Sequence, residues 1–74
     1  MLNINGWEWR LFLVSPDHPQ LKRSDNSYAI GACDSNIGCI YINDSLDSHL
    51  TRKVLCHELT HAAMFSYDID LTYD

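Results

Sequence analysis

A chain of 74 residues is long enough for one domain, and its ten acidic and five basic side chains give a formal net charge of −5. This balance argues against direct binding to nucleic acid, which requires a cationic surface. The sequence has no apolar run of about 18 residues and no leader-like start, and its three cysteines are an odd number. We therefore expect neither membrane insertion nor secretion, but a protein of the reducing cytoplasm.

Turn signals and apolar periodicity divide the chain into short elements. In chain order we predict strands over residues 2–5 and 7–14, a loop over 15–27, strands over 28–33 and 39–42, and a helix over 47–66. Trp7 and Trp9 share one face of the second strand by alternation, and we expect both to pack in the core. The helix is predicted from apolar residues at helical spacing after the capping sequence NDSLDS. The expected fold class is α+β, with a small antiparallel sheet of N-terminal strands and a hairpin packed on one long helix.

The sequence VLCHELTHAAMF, residues 54–65, contains His-Glu-x-x-His inside the predicted helix. His57 and His61 are four residues apart, which places both imidazoles on one side of a helix, within reach of one metal ion. Neutral imidazole is a common ligand of Zn²⁺. Glu58 follows the first histidine, where its carboxylate can take a proton from a water molecule on the metal. The motif predicts zinc on His57 and His61, with Glu58 as the catalytic base if the protein is an enzyme.

The spacing of the other candidate ligands leaves the rest of the site open. Cys33 and Cys39 precede the two histidines in the order found in ββα zinc fingers, so a closed Cys2His2 site is one alternative. Strand alternation argues against it, because it places both cysteines on the face opposite the isoleucines expected in the core. Asp68, Asp70 and Asp74 are alternative oxygen donors, but Asp68 reaches the site only if the chain turns back after the helix.

Four short motifs, LVSPDHP, IGACD, IYIN and HELTHAA, make most of the chain resemble a known family. It is similar to the short ImmA/IrrE-like HExxH metallopeptidases of phages and prophages of Gram-positive bacteria. The resemblance implies a single zincin-like domain over residues 1–74, with zinc on His57 and His61 and Glu58 as general base. In that family an acidic helix follows and donates a glutamate as third ligand, whereas no glutamate follows Glu58 here. We therefore expect a C-terminally truncated member that lacks the second helix.

The small size, the acidic charge and the phage-type motif also resemble phage inhibitors of host defence, such as anti-CRISPR proteins. That resemblance implies binding to a host protein, for example in the cationic channel of a Cas nuclease. The leading hypothesis is a zinc-binding, degenerate peptidase that inhibits such a protein in the bacterial cytoplasm. One alternative is an active zinc peptidase completed by Asp68, Asp70 or a partner chain. The other is a structural zinc module with the closed Cys2His2 site.

Overall fold

Four strands and one α-helix form the fold in the computed structural model, which describes residues 2–68. The elements are β1 (Leu2–Ile4), β2 (Trp7–Val14), a short 3-10 helix (Pro19–Leu21), β3 (Gly31–Asp34), β4 (Cys39–Asn43) and α1 (Ser48–Ser66). The predicted α+β class is confirmed. The third strand begins three residues later than predicted, because Tyr28 forms an isolated bridge with Lys22 of the preceding loop instead of joining the sheet.

The sheet is mixed, so the prediction of a purely antiparallel sheet is wrong. The strand order is β1-β2-β4-β3, with antiparallel β1–β2 and β3–β4 pairs and a parallel β2–β4 pair. The hairpin therefore places its second strand, β4, beside β2. Ile40 and Ile42 of β4 are 0% and 1% exposed, whereas β3 has the small and polar sequence GACD. The more apolar strand takes the central position, where it is buried. The alternation of residues along each strand does not predict this strand order.

Side chains fix both ends of α1. The Asp47 carboxylate caps the first turn by accepting a hydrogen bond from the Leu50 N–H at 2.8 Å. At the other end, the Trp9 indole Nε1 donates to Ser66 Oγ at 2.8 Å, and the Asn5 amide donates to the Ser66 carbonyl at 2.9 Å. The β1–β2 turn therefore holds the end of the helix over the sheet. In the part of the chain that the structure describes, no helix has the length and apolarity needed to span a membrane.

The core lies between α1 and the helix-facing side of the sheet. Its buried side chains are Trp9, Ile40, Ile42, Val54 and Ala62. Trp7, which was expected in the core, is 52% exposed, and Leu13 at the other end of β2 is 63% exposed. The reason is the position of the helix, which packs on β3 and β4 and, near its end, on β1. Leu13 therefore lies beyond the covered part of the sheet. Trp7 reaches only the end of the helix, where its ring lies edge-on to Phe65 with 5.2 Å between the centroids.

Candidate metal centre

α1 presents His57 and His61 one turn apart, on the side of the helix that borders β3. Their Nε2 atoms are 3.1 Å apart, and the ring planes are inclined by 77°. A tetrahedral zinc ion with bonds of about 2.0–2.1 Å to two imidazoles holds their nitrogens about 3.3 Å apart. The same distance also suits an N–H···N hydrogen bond between neutral tautomers. The two nitrogens therefore already lie at a separation that fits one divalent ion bound by both.

Glu58 lies beneath β3, beside the histidine pair. Its side chain is 7% exposed, and a Cβ added to Gly31 would lie 3.2 Å from Glu58 Oε2, so the carboxylate packs against the β3 backbone. Burial raises the pKa of the Glu58 carboxyl, while the neighbouring His61 and His57 act in the opposite direction. A buried carboxylate in this position is suited to accept a proton and return it.

A groove of about 430 Å³ lies between residues of β3 and α1 and contains the motif. The residues that line it are Arg23, Ala29, Gly31, Cys33, Ser35, His57, Glu58, His61 and Phe65. We call it the histidine groove. One wall is the edge strand β3 and the other is the helix, so a ligand in the groove contacts main chain on one side and the motif on the other.

The β3–β4 register places Cys33 and Cys39 on opposite faces of the sheet. Cys33 is paired with Ile40 and faces the helix, whereas Cys39 is paired with Asp34 and faces away from it. The prediction that both cysteines share the face opposite the core is wrong. A four-residue loop joins Asp34 to Cys39, so odd-numbered positions change face across the hairpin. The two thiols do not converge, and the closed Cys2His2 site is not formed.

Cys33 borders the histidine groove without joining the histidines. Its burial raises the pKa of the thiol to about 11, and the charges of Glu58 and Asp34 act in the same direction. The thiol therefore stays protonated at neutral pH, which is unfavourable for metal binding. Cys39 is 8% exposed, and its Sγ donates weakly to the Ile37 carbonyl at 3.6 Å.

The structure does not bring a third ligand to the histidine pair among residues 2–68. In this range no three His, Cys, Asp or Glu side chains are grouped so that they could hold one metal ion. Asp68 follows the helix in a left-handed conformation, with a φ of 54°, and its N–H donates to the Phe65 carbonyl at 3.1 Å. Asp70 and Asp74 lie outside the described residues. The ligand roles of His57 and His61 remain predictions that fit the geometry.

Sequence reasoning missed the contribution of Arg23 to the groove. Arg23 belongs to the long loop after β2, which carries no periodic signal. The loop is held against β3 and β4 by its 3-10 helix, in which Leu21 is 1% exposed. A hydrogen bond from the Ala29 N–H to the Leu21 carbonyl at 2.8 Å closes the loop. The sequence signal for this packing is one apolar residue, Leu21, within a turn-rich segment.

Two histidines on one helical face, with a buried glutamate beside them under an edge strand, define the geometry of an HExxH domain of the zincin type. A family model, the IrrE N-terminal-like domain or Peptidase_M78, matches residues 14–74. The chain therefore belongs to this family, and the match extends from the last residue of β2 through β3, β4 and α1. No curated protein and no solved structure matches the chain.

Proposed function

We propose that this chain is a zinc-dependent peptidase domain in which His57 and His61 bind the metal and Glu58 is the general base. The observation that supports the proposal most directly is the 3.1 Å separation of the two Nε2 atoms, next to a buried glutamate. Membership of a peptidase family agrees with it. The third protein ligand in this proposal comes from outside residues 2–68.

Each motif residue has a separate task in the proposed reaction. Zinc, when bound, supplies Lewis-acid chemistry that polarises the substrate carbonyl and acidifies water. His57 and His61 would hold the ion through their neighbouring Nε2 atoms. Glu58 accepts the proton of the attacking water and delivers it to the nitrogen of the leaving amine. The burial of Glu58 favours this exchange, because a carboxylate poorly solvated by water is a stronger base.

The position of β3 favours an extended peptide as substrate. β3 is paired with β4 on one side only and is the edge of the sheet in residues 2–68. Its other side borders the histidine groove. An edge strand offers main-chain donors and acceptors to an added strand, so a peptide can align there with its carbonyl groups near the motif.

The test is cleavage of a mixture of unstructured peptides by the zinc-loaded protein, with new termini identified by mass spectrometry. We expect cleavage that a chelator stops and that Glu58→Gln reduces at least about a hundredfold, the usual contribution of a general base. Glu8→Gln is the matched control, because Glu8 is exposed and lies on β2. Full cleavage by the Glu58→Gln protein, or none by the zinc-loaded wild type, contradicts the proposal.

A second candidate function is inhibition of a host protein, such as a Cas nuclease, by binding. The net charge of −5 favours it, because an acidic surface can dock in a cationic channel. The two functions predict different effects of the Glu58→Gln substitution. Inhibition by binding survives Glu58→Gln in a folded protein, whereas inhibition that depends on cleavage does not.

A further inference from the structure

We propose that one end of the groove selects peptides with an acidic side chain, through Arg23 and Lys53. This inference rests on the proposed function, because it assumes that a peptide occupies the groove beside β3. The inference specifies which class of substrate side chain binds on the side of His57 that faces away from His61.

The basic end is continuous with the histidine groove. A cavity of about 360 Å³ is lined by Arg23 and Lys53 together with His57 and Glu58. Arg23, His57 and Glu58 also line the histidine groove. A peptide that lies along β3 past the motif therefore enters the cavity that contains both cations, which we call the basic arm.

The basic arm contrasts with the charge of the chain as a whole. The chain has only five Lys and Arg residues and ten acidic ones, yet two of the five border this single cavity. Ile30, Leu50 and Val54 form its apolar lining.

Arg23 is positioned by its backbone. Its N–H donates to the Ser27 carbonyl at 2.8 Å, and its own carbonyl accepts from the Asn26 N–H at 3.1 Å. The pKa of the neighbouring Asp25 is lowered chiefly by hydrogen bonds from Ser27, with a smaller contribution from Arg23. These bonds fix the backbone that carries Arg23, which lines both cavities, and the planar fork of a guanidinium can bind both oxygens of a carboxylate.

Glu58 sets the direction of the selection. Its carboxylate lies at the junction of the basic arm and the histidine groove. An acidic side chain is repelled by Glu58 and attracted to Lys53, which lines the basic arm alone, and to Arg23, which lines both cavities. The substrate carboxylate therefore occupies the basic arm, and the main chain passes the motif.

The experiment is an NMR titration of the zinc-loaded Glu58→Gln protein, which prevents cleavage during the measurement. The probes are short blocked peptides of neutral residues in which one position is Glu, Gln or Lys, and that position is moved along the peptide. We expect the best Glu peptide to bind about 1.5- to fivefold more tightly than its Gln counterpart, the range for exposed charge pairs. Amide shifts should map to β3 and the basic arm.

Matched charge variants make the test specific. Arg23→Gln and Lys53→Gln should each remove most of the preference for Glu over Gln. Arg52→Gln and Arg10→Gln remove the same charge, Arg52 next to Lys53 on α1 and Arg10 on β2, but neither residue lines the groove. Both controls should keep the preference. If they lose it equally, the effect is general electrostatics and the proposal is wrong.

The remaining outcomes separate this inference from the proposed function. The proposal that the basic arm selects acidic side chains is wrong if the Glu and Gln peptides bind equally, if the Lys peptide binds more tightly, or if no peptide binds. A Glu preference that depends on Arg23 and Lys53 supports it, even if the zinc-loaded wild type cleaves nothing. In that case the peptidase proposal fails while the binding site stands.

Discussion

Glu58 is buried although it is an acidic residue, and no opposite charge among the described residues fully offsets the loss of solvation. Burial is the largest cause of its raised pKa, and the histidines reduce the shift. A carboxyl whose pKa is raised in the folded state binds its proton more tightly there than in the unfolded chain. Ionisation of Glu58 therefore destabilises the metal-free fold.

The direction of this pKa shift predicts how the stability of a metal-free Glu58→Gln variant depends on pH. The free energy of unfolding of the variant should exceed that of the wild type at pH values above the raised pKa, where Glu58 is ionised. The difference should shrink as the pH falls through the raised pKa and vanish below the ordinary value of 4.5. Urea unfolding in the presence of a chelator measures it. Glu8→Gln, at an exposed position, should show no such difference. A Glu58→Gln protein that is less stable than the wild type across the whole pH range contradicts the raised pKa of Glu58.

At the scale of the elements, the packing of α1 against β3 depends on Gly31. A Cβ built at Gly31 would lie 2.5 Å from Val54 Cγ1 and 3.2 Å from Glu58 Cγ. Only a residue without a side chain lets the helix approach the edge strand this closely. The close approach places Glu58 under the strand, so Gly31 helps to form the candidate site.

The steric conflict predicts a non-additive pair of substitutions. Gly31→Ala should lower the free energy of unfolding by about 1–3 kcal/mol, the usual cost of overpacking. Val54→Ala removes the atom in conflict, so Gly31→Ala should cost less in that background, with a coupling of about 0.5–3 kcal/mol. Denaturant unfolding of the four proteins measures the coupling. Val14→Ala is the control partner, and equal coupling with Val14 or none with Val54 contradicts the contact.

The elements with local causes could be predicted from the sequence. Helical spacing and the capping sequence NDSLDS predicted a helix over 47–66, within one residue of α1 (Ser48–Ser66). The four-residue spacing of His57 and His61 predicted their proximity. The neighbours across the sheet could not be predicted. Which hairpin strand joins β2 depends on the total apolar area buried. The face of Cys33 depends on the β3–β4 register, in which Cys33 is paired with Ile40. Arg23 reaches the site through a loop anchored by tertiary packing, for which local sequence gives no signal.

At the scale of the whole molecule, the fold concentrates its candidate chemistry at one edge. The histidine groove and the basic arm both lie between β3 and α1, and the family match covers these two elements and β4. β1 and nearly all of β2 lie outside the matched residues, yet Trp9 and Asn5 anchor the end of α1. The N-terminal strands therefore stabilise the helix that bears the motif.

The central claim is that His57 and His61 bind one zinc ion, and thermal unfolding with and without zinc tests it most directly. At a zinc concentration one hundred times Kd, bound metal stabilises a folded protein by about 2.7 kcal/mol, so the wild-type Tm should rise by roughly ten degrees or more for a chain of this size. A chelator should reverse the rise, His57→Ala and His61→Ala should each abolish it, and His49→Ala on the same helix should keep it. A wild-type Tm that zinc leaves unchanged, or a rise that survives both histidine substitutions, would contradict the account.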